Sequence, residues 1–136
     1  MSNGFKKLLF VLGTRPEMIK LAPLILKVRA LGAEAVLVNS GQHADLLSPL
    51  FELFDVYPVH SLSAMVSGQG LNPLLATVVN KLDAVLEKEQ PDCVVVQGDT
   101  ATALAGALAA FNRRIPVAHV EAAFAQGTQA AHFQKK

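Results

Sequence analysis

The chain has 136 residues, which is the length of one domain and is enough to bury a sizeable core. Its formal net charge of +1 argues against a broad basic surface for nucleic acid or an anionic membrane. The single cysteine, Cys93, excludes an intrachain disulfide and a cysteine-based metal site. No uncharged apolar run reaches about 18 residues, the length that a membrane span needs. We therefore expect a cytoplasmic protein that binds neither nucleic acid, membrane nor metal.

Strand and helix patterns alternate along the chain. The apolar run at 6–12 ends at Gly13 and predicts a buried strand, and Pro16 suits the first turn of the helix that follows, which Gly32 stops. Further strands are predicted at 35–38, 57–62, 93–96 and 117–120, and further helices at 45–54, 72–89 and 100–112. The last helix is rich in Ala and contains Gly106, so it is suited to lie close to a sheet.

The alternation of strands and helices predicts an α/β fold, with a parallel sheet that carries helices on both faces. A composition that is 51% hydrophobic fits strands buried on both sides. We assign residues 1–122 to this one domain. Residues 123–136 have no apolar period and are predicted to be a poorly ordered tail.

Clusters of polar residues follow the predicted strands, at 13–17, 40–43, 97–100 and 119–121. In an open parallel sheet, ligands bind beyond the carboxyl ends of the strands. Because these ends share one edge of the sheet, we expect the four clusters to line a common cleft.

The cluster after the first strand has the charge needed to hold phosphate. Arg15 can form two hydrogen bonds to phosphate oxygens beside a helix N-terminus, and Lys20 adds a charge one turn later. The alternative is an ordinary turn with two solvated basic side chains. The segment matches neither a Walker loop nor the Gly-x-Gly-x-x-Gly dinucleotide pattern.

Two carboxylates stand at the ends of later strands. Asp99 either caps the next helix or, if Thr100 caps it, faces the cleft. Alternation along the last strand places His119 and Glu121 on one face. Glu121 is either a capping or salt-bridged residue, or it pairs with Asp99 to divide acid and base work.

Three loop residues, Gln42, His43 and Gln69, carry neutral or weakly basic groups that suit sugar or uracil recognition. Solvated loop side chains are the alternative.

Six short motifs occur in the order found in the bacterial non-hydrolysing UDP-N-acetylglucosamine 2-epimerases. They are Gly-Thr-Arg-Pro-Glu at 13–17, Gln-His at 42–43, Gly-Gln-Gly-Leu at 68–71, Pro-Asp at 91–92, Gly-Asp-Thr at 98–100 and His-Val-Glu-Ala at 119–122. From about Lys7 to Ala122 the sequence resembles this family. The resemblance implies the Rossmann-like, N-terminal half of a two-domain GT-B architecture. It also implies interconversion of UDP-N-acetylglucosamine and UDP-N-acetylmannosamine by elimination and re-addition of UDP, without nicotinamide or another cofactor.

The resemblance assigns roles to individual residues. Arg15 and Lys20 match positions that bind UDP and phosphate. Asp99 and Glu121 match two catalytic carboxylates. Gln42, His43 and Gln69 match positions near a second, activating UDP-N-acetylglucosamine site.

The sequence departs from the family after Ala122, where Ala123-Phe124-Ala125 replaces Gly-Leu-Arg, and Gln97 stands where many relatives have His. The C-terminal domain of the family is not part of this sequence. We therefore expect an isomerase fragment that is inactive alone. A nucleotide-sugar-binding module and a remnant without activity are the alternatives. Exposure of apolar surface that normally meets a partner domain favours self-association or a homo-oligomer.

Overall fold

The computed structural model describes residues 4–41, 44–64, 68–122 and 131–135. Its strands are β1 (Lys7–Leu12), β2 (Glu34–Asn39), β3 (His60–Ser61), β4 (Cys93–Gln97), β5 (Val117–Ala122) and β6 (Ala131–Lys135). Its helices are α1 (Arg15–Ala30), α2 (Ala44–Phe54), α3 (Leu71–Glu89) and α4 (Ala101–Asn112). Within the described residues, no helix combines the length and the apolar character needed to cross a bilayer.

The six strands form one sheet in the order β3-β2-β1-β4-β5-β6. Strands β1 to β5 pair in parallel, which confirms the predicted α/β fold. Strand β6 pairs antiparallel with β5 and lies in a stretch where the sequence predicted no strand. A strand can add to a sheet edge through backbone hydrogen bonds, so its side chains need no apolar period.

Strand β3 is shorter than the sequence predicted. It keeps two residues of the expected 57–62, and it pairs with β2 only at Val38 and Asn39. Tyr57 and Val59 are more than half exposed, and Pro58 between them has no N–H to donate to a ladder. This edge of the sheet therefore contributes little pairing.

Two apolar cores lie on opposite faces of the sheet. Along β1, Leu9 and Val11 belong to the core under α3 and α4, whereas Phe10 and Leu12 belong to the core under α1 and α2. All four of these side chains are fully buried. Burial on both faces explains why the central strands contain almost continuous apolar runs.

Helix α4 lies unusually close to the sheet at Gly106. A Cβ atom at this position would lie 2.6 Å from Cγ1 of Val11 and 2.8 Å from Cγ1 of Val96. Both distances are shorter than real carbon–carbon contacts. The small side chains of α4 therefore permit the close approach that the sequence predicted.

Candidate functional site

A cleft of about 840 Å³ opens where β1, β4 and β5 end. Its walls are the β1–α1 turn, the β4–α4 turn and the end of β5. The lining includes four of the predicted site residues: Arg15, Lys20, Asp99 and Glu121. The sheet topology thus brings residues from positions 15 to 121 to one edge, as the strand-end rule requires.

The other three predicted site residues do not line this cleft within the described structure. Gln42 and His43 lie outside the described residues. Gln69 is half-buried and precedes Gly70, the N-cap of α3. Their assignment to a second nucleotide-sugar site stays a prediction.

The β1–α1 turn presents the positive wall of the cleft. Thr14 is the N-cap of α1, and Arg15 and Pro16 form its first turn. The side chains of Arg15 and Lys20 are exposed. The N-terminal backbone of the helix is already capped by Thr14 and Glu17, so the two basic side chains are the groups that can attract an anion here. They provide a local positive field in a chain of nearly neutral charge.

The β4–α4 turn presents the first acidic wall. Gly98 has φ of +77°, a conformation that glycine adopts without steric cost. The hydroxyl of Thr100 accepts a hydrogen bond from the Ala103 N–H at 3.0 Å and is the N-cap of α4. Since Thr100 occupies the cap, Asp99 does not. The Asp99 side chain is exposed and lines the cleft.

The end of β5 presents a second acidic wall. His119 and Glu121 lie on the cleft side, whereas Val120 between them is buried in the core. The distance from His119 Nδ1 to Glu121 Oε2 is 3.2 Å, and His119 Nε2 lies 2.7 Å from the Gly98 carbonyl oxygen. A carbonyl only accepts, so Nε2 carries a proton. The imidazole of His119 and the carboxylate of Glu121 therefore lie side by side at the edge of the cleft.

A buried carboxylate that the sequence analysis did not single out connects two of these walls. Glu17 is 1% exposed. Its Oε1 accepts from the Gly13 and Thr14 N–H groups at 2.8 Å and from the Thr14 hydroxyl at 2.9 Å. Its Oε2 accepts from the Thr100 hydroxyl at 2.7 Å. The spacing Thr14-x-x-Glu17 is the capping-box pattern, which predicts the bond from the Thr14 N–H, but nothing in the sequence indicates the bond from Thr100.

Comparisons with known proteins agree on one family. Residues 27–126 match the profile of the family described as UDP-N-acetylglucosamine 2-epimerase. The probable UDP-N-acetylglucosamine 2-epimerase of Ralstonia solanacearum is 44% identical over 126 residues, which are 90% of this chain and 33% of that protein. The UDP-N-acetylglucosamine 2-epimerase of Escherichia coli K12 is 44% identical over 125 residues, which are 89% and 32% of the two chains.

A solved structure gives the same match in three dimensions. The UDP-GlcNAc 2-epimerase of Neisseria meningitidis, bound to UDP-GlcNAc, superposes with a TM-score of 0.81 at 38% identity, over 90% of this chain and 33% of that one. This chain therefore spans about a third of the length of the relatives it matches. Its fold is the Rossmann-like, N-terminal part of the two-domain GT-B arrangement. With a family match over most of its residues, the chain belongs to the UDP-N-acetylglucosamine 2-epimerase family.

Proposed function

We propose that this chain is the nucleotide-sugar-binding half of an isomerase that interconverts UDP-N-acetylglucosamine and UDP-N-acetylmannosamine. Alone, it binds the nucleotide but does not turn over the sugar. The observation that carries the proposal is the common cleft: a basic wall at Arg15 and acidic walls at Asp99 and Glu121 face one space. The relatives named for this activity support the choice of substrate.

The basic wall suits the diphosphate of UDP. Arg15 lies on the first turn of α1, and Lys20 follows on the same helix. Charged hydrogen bonds from a guanidinium to phosphate oxygens are about twice as strong as hydrogen bonds between neutral groups. The exposed guanidinium of Arg15 can accordingly form the strongest single contact to the ligand.

The acidic walls suit the chemistry at the sugar. Elimination of UDP removes the proton from C2, breaks the bond between C1 and the diphosphate oxygen, and leaves a double bond between C1 and C2. A carboxylate at the cleft can take the C2 proton. The double bond is then removed when a protonated group returns a proton to the opposite face of C2 and the diphosphate oxygen of UDP bonds to C1 again. Asp99 is placed for one of these roles. Glu121, whose carboxylate lies 3.2 Å from Nδ1 of His119, is placed for the other.

Binding without turnover follows from the open side of the cleft. The matched relatives are about three times as long as this chain. Catalysis of elimination requires exclusion of water and retention of the intermediate by closure around it. The walls that this chain supplies all stand at one edge of its sheet and do not provide that closure.

Isothermal titration with UDP tests the proposal directly. We expect Arg15→Ala to weaken UDP binding by about 1.5–3 kcal/mol, or about 10- to 150-fold, which is the range for a charged hydrogen bond. Lys27→Ala is the matched control, because Lys27 is an exposed basic residue on the last turn of the same helix. An unchanged affinity in Arg15→Ala would remove Arg15 from the site.

Two further measurements separate the alternatives. No detectable heat with UDP at millimolar concentration would exclude a binding module and leave a remnant without activity. Epimerisation of UDP-N-acetylglucosamine by the lone chain would contradict the statement that it lacks turnover.

The proposal includes self-association and a cytoplasmic location. Helix α4 exposes Leu104, Leu108 and Phe111 by 57%, 40% and 65%, and their spacing places them along one face of the helix. A contiguous apolar strip of this kind favours association in water. The one thiol, Cys93, is buried inside β4, as suits a reducing compartment.

A further inference from the structure

The two turns that carry Arg15 and Asp99 are joined by one buried side chain. Glu17 takes three hydrogen bonds from the β1–α1 turn on one oxygen and one from Thr100 of the β4–α4 turn on the other. Glu17 and Thr100 are 83 residues apart in the chain. The bond between them is therefore a tertiary connection across the floor of the cleft.

Helix capping alone does not explain this arrangement. A capping box needs only the reciprocal bonds between the N-cap residue and the third residue of the helix, and such a carboxylate normally keeps one oxygen in water. Here the side chain is 1% exposed. Burial of a carboxylate is costly unless each oxygen is hydrogen-bonded. The Thr100 hydroxyl, which also accepts from the Ala103 N–H, supplies the bond to the second oxygen.

We propose that Glu17 is a positioning residue for the nucleotide-sugar site. It fixes the β1–α1 turn against the β4–α4 turn, and so sets the separation between the Arg15 guanidinium and the Asp99 carboxylate. Glu17 borders the cleft with only 1% of its surface exposed, both of its oxygens are taken by the hydrogen bonds described, and it acts through these two turns. This inference rests on the proposed function for the identity of the ligand, but the mechanical connection can be tested without any ligand.

The test is a double-mutant cycle on the Glu17–Thr100 bond. Thr100→Asp keeps a residue that caps helices well but sets a second carboxylate against Glu17. Glu17→Gln keeps the shape and leaves an amide that binds the Thr100 hydroxyl more weakly. In the double variant the amide donates to the new carboxylate, so the connection returns and the net charge equals that of the unmodified chain.

Titration with UDP measures how each substitution changes the affinity of the site for the nucleotide. We expect affinity to fall about threefold in Glu17→Gln and about tenfold in Thr100→Asp, and to recover to within about threefold in the double variant. Asn112→Asp is the control for charge, because Asn112 is exposed at the far end of α4; combined with Glu17→Gln, it should give no such recovery. Additive losses in the Glu17/Thr100 pair would overturn the proposal and leave Glu17 as a cap.

Amide hydrogen exchange measures, in the absence of ligand, whether loss of the Glu17–Thr100 bond loosens the β1–α1 turn. The Gly13 and Thr14 amides donate to Glu17, so they should exchange faster in Thr100→Asp and return towards the original rate in the double variant. Thr100→Val, which removes the donor without adding charge, should also accelerate them. Unchanged exchange at Gly13 in both Thr100 variants would refute the positioning role. Failure of the unmodified chain to bind UDP would refute the proposed function, whereas the exchange cycle would still decide the role of Glu17.

Discussion

Substitution of Gly106 by Ala tests the close contact between α4 and the sheet. In an ordinary helix this change is stabilising by about 1 kcal/mol, because glycine has the lower helix propensity. Here the added Cβ would lie 2.6 Å and 2.8 Å from the Cγ1 atoms of Val11 and Val96. Both neighbours are β-branched, so their χ1 angles do not swing freely, and both are buried in central strands.

Overpacking of this kind costs about 1–3 kcal/mol in a well-packed core. After the propensity gain is subtracted from the upper part of that range, we expect Gly106→Ala to lower the free energy of unfolding by about 1–2 kcal/mol. Urea unfolding followed by circular dichroism measures this difference. The same substitution is then made in a Val11→Ala variant, which lacks the nearer Cγ1 atom. In that variant Gly106→Ala should lower the free energy of unfolding by about 1 kcal/mol less than it does in the unmodified chain. A stabilised Gly106→Ala variant would show that the helix does not approach the sheet as described.

Two further predictions concern charge and association. Hydrogen bonds from Lys7 and His60 hold the pKa of Glu89 below the ordinary range of a glutamate carboxyl, so the stabilisation from this carboxylate is fully present above that ordinary range and is lost as the pH falls through the lowered pKa. The melting temperature should therefore drop over that acidic range, and Glu89→Gln should reduce the drop; identical pH profiles for the two chains would contradict this. Replacement of Phe111 by Lys should shift the chain towards monomer in analytical ultracentrifugation, and a monodisperse monomer before the substitution would end the self-association proposal.

Most of the fold could be predicted because its determinants are local. Short apolar runs rich in Val, such as 93–96, favour strands buried on both sides, and the helices between them show their own period. Strand β3 was predicted too long because Tyr57 and Val59, which precede it and are exposed, belong to residue types that favour strands. Strand β6 was missed because edge pairing depends on the backbone of β5 rather than on its own side chains.

The candidate site could be predicted only in outline. Ligands bind beyond the carboxyl ends of parallel strands, and this rule correctly predicted that Arg15, Lys20, Asp99 and Glu121 lie at one edge of the sheet. It could not decide whether Asp99 or Thr100 caps α4, because both residue types cap well. Glu17 was missed because its burial depends on a hydroxyl that only the folded chain brings within reach.

Gly98 has a mechanical consequence for the cleft. Its N–H donates to the Val120 carbonyl at 3.2 Å, and its own carbonyl accepts from His119. The N–H and the carbonyl of Gly98 thus both bond to β5 and hold the β4–α4 turn against that strand. The left-handed backbone of Gly98 disfavours most other residues at this position. Asp99 and Glu121 must therefore shift together, as parts of one stiff block. Any adjustment to ligands of different size falls to the long, exposed side chains of Arg15 and Lys20 on the opposite wall.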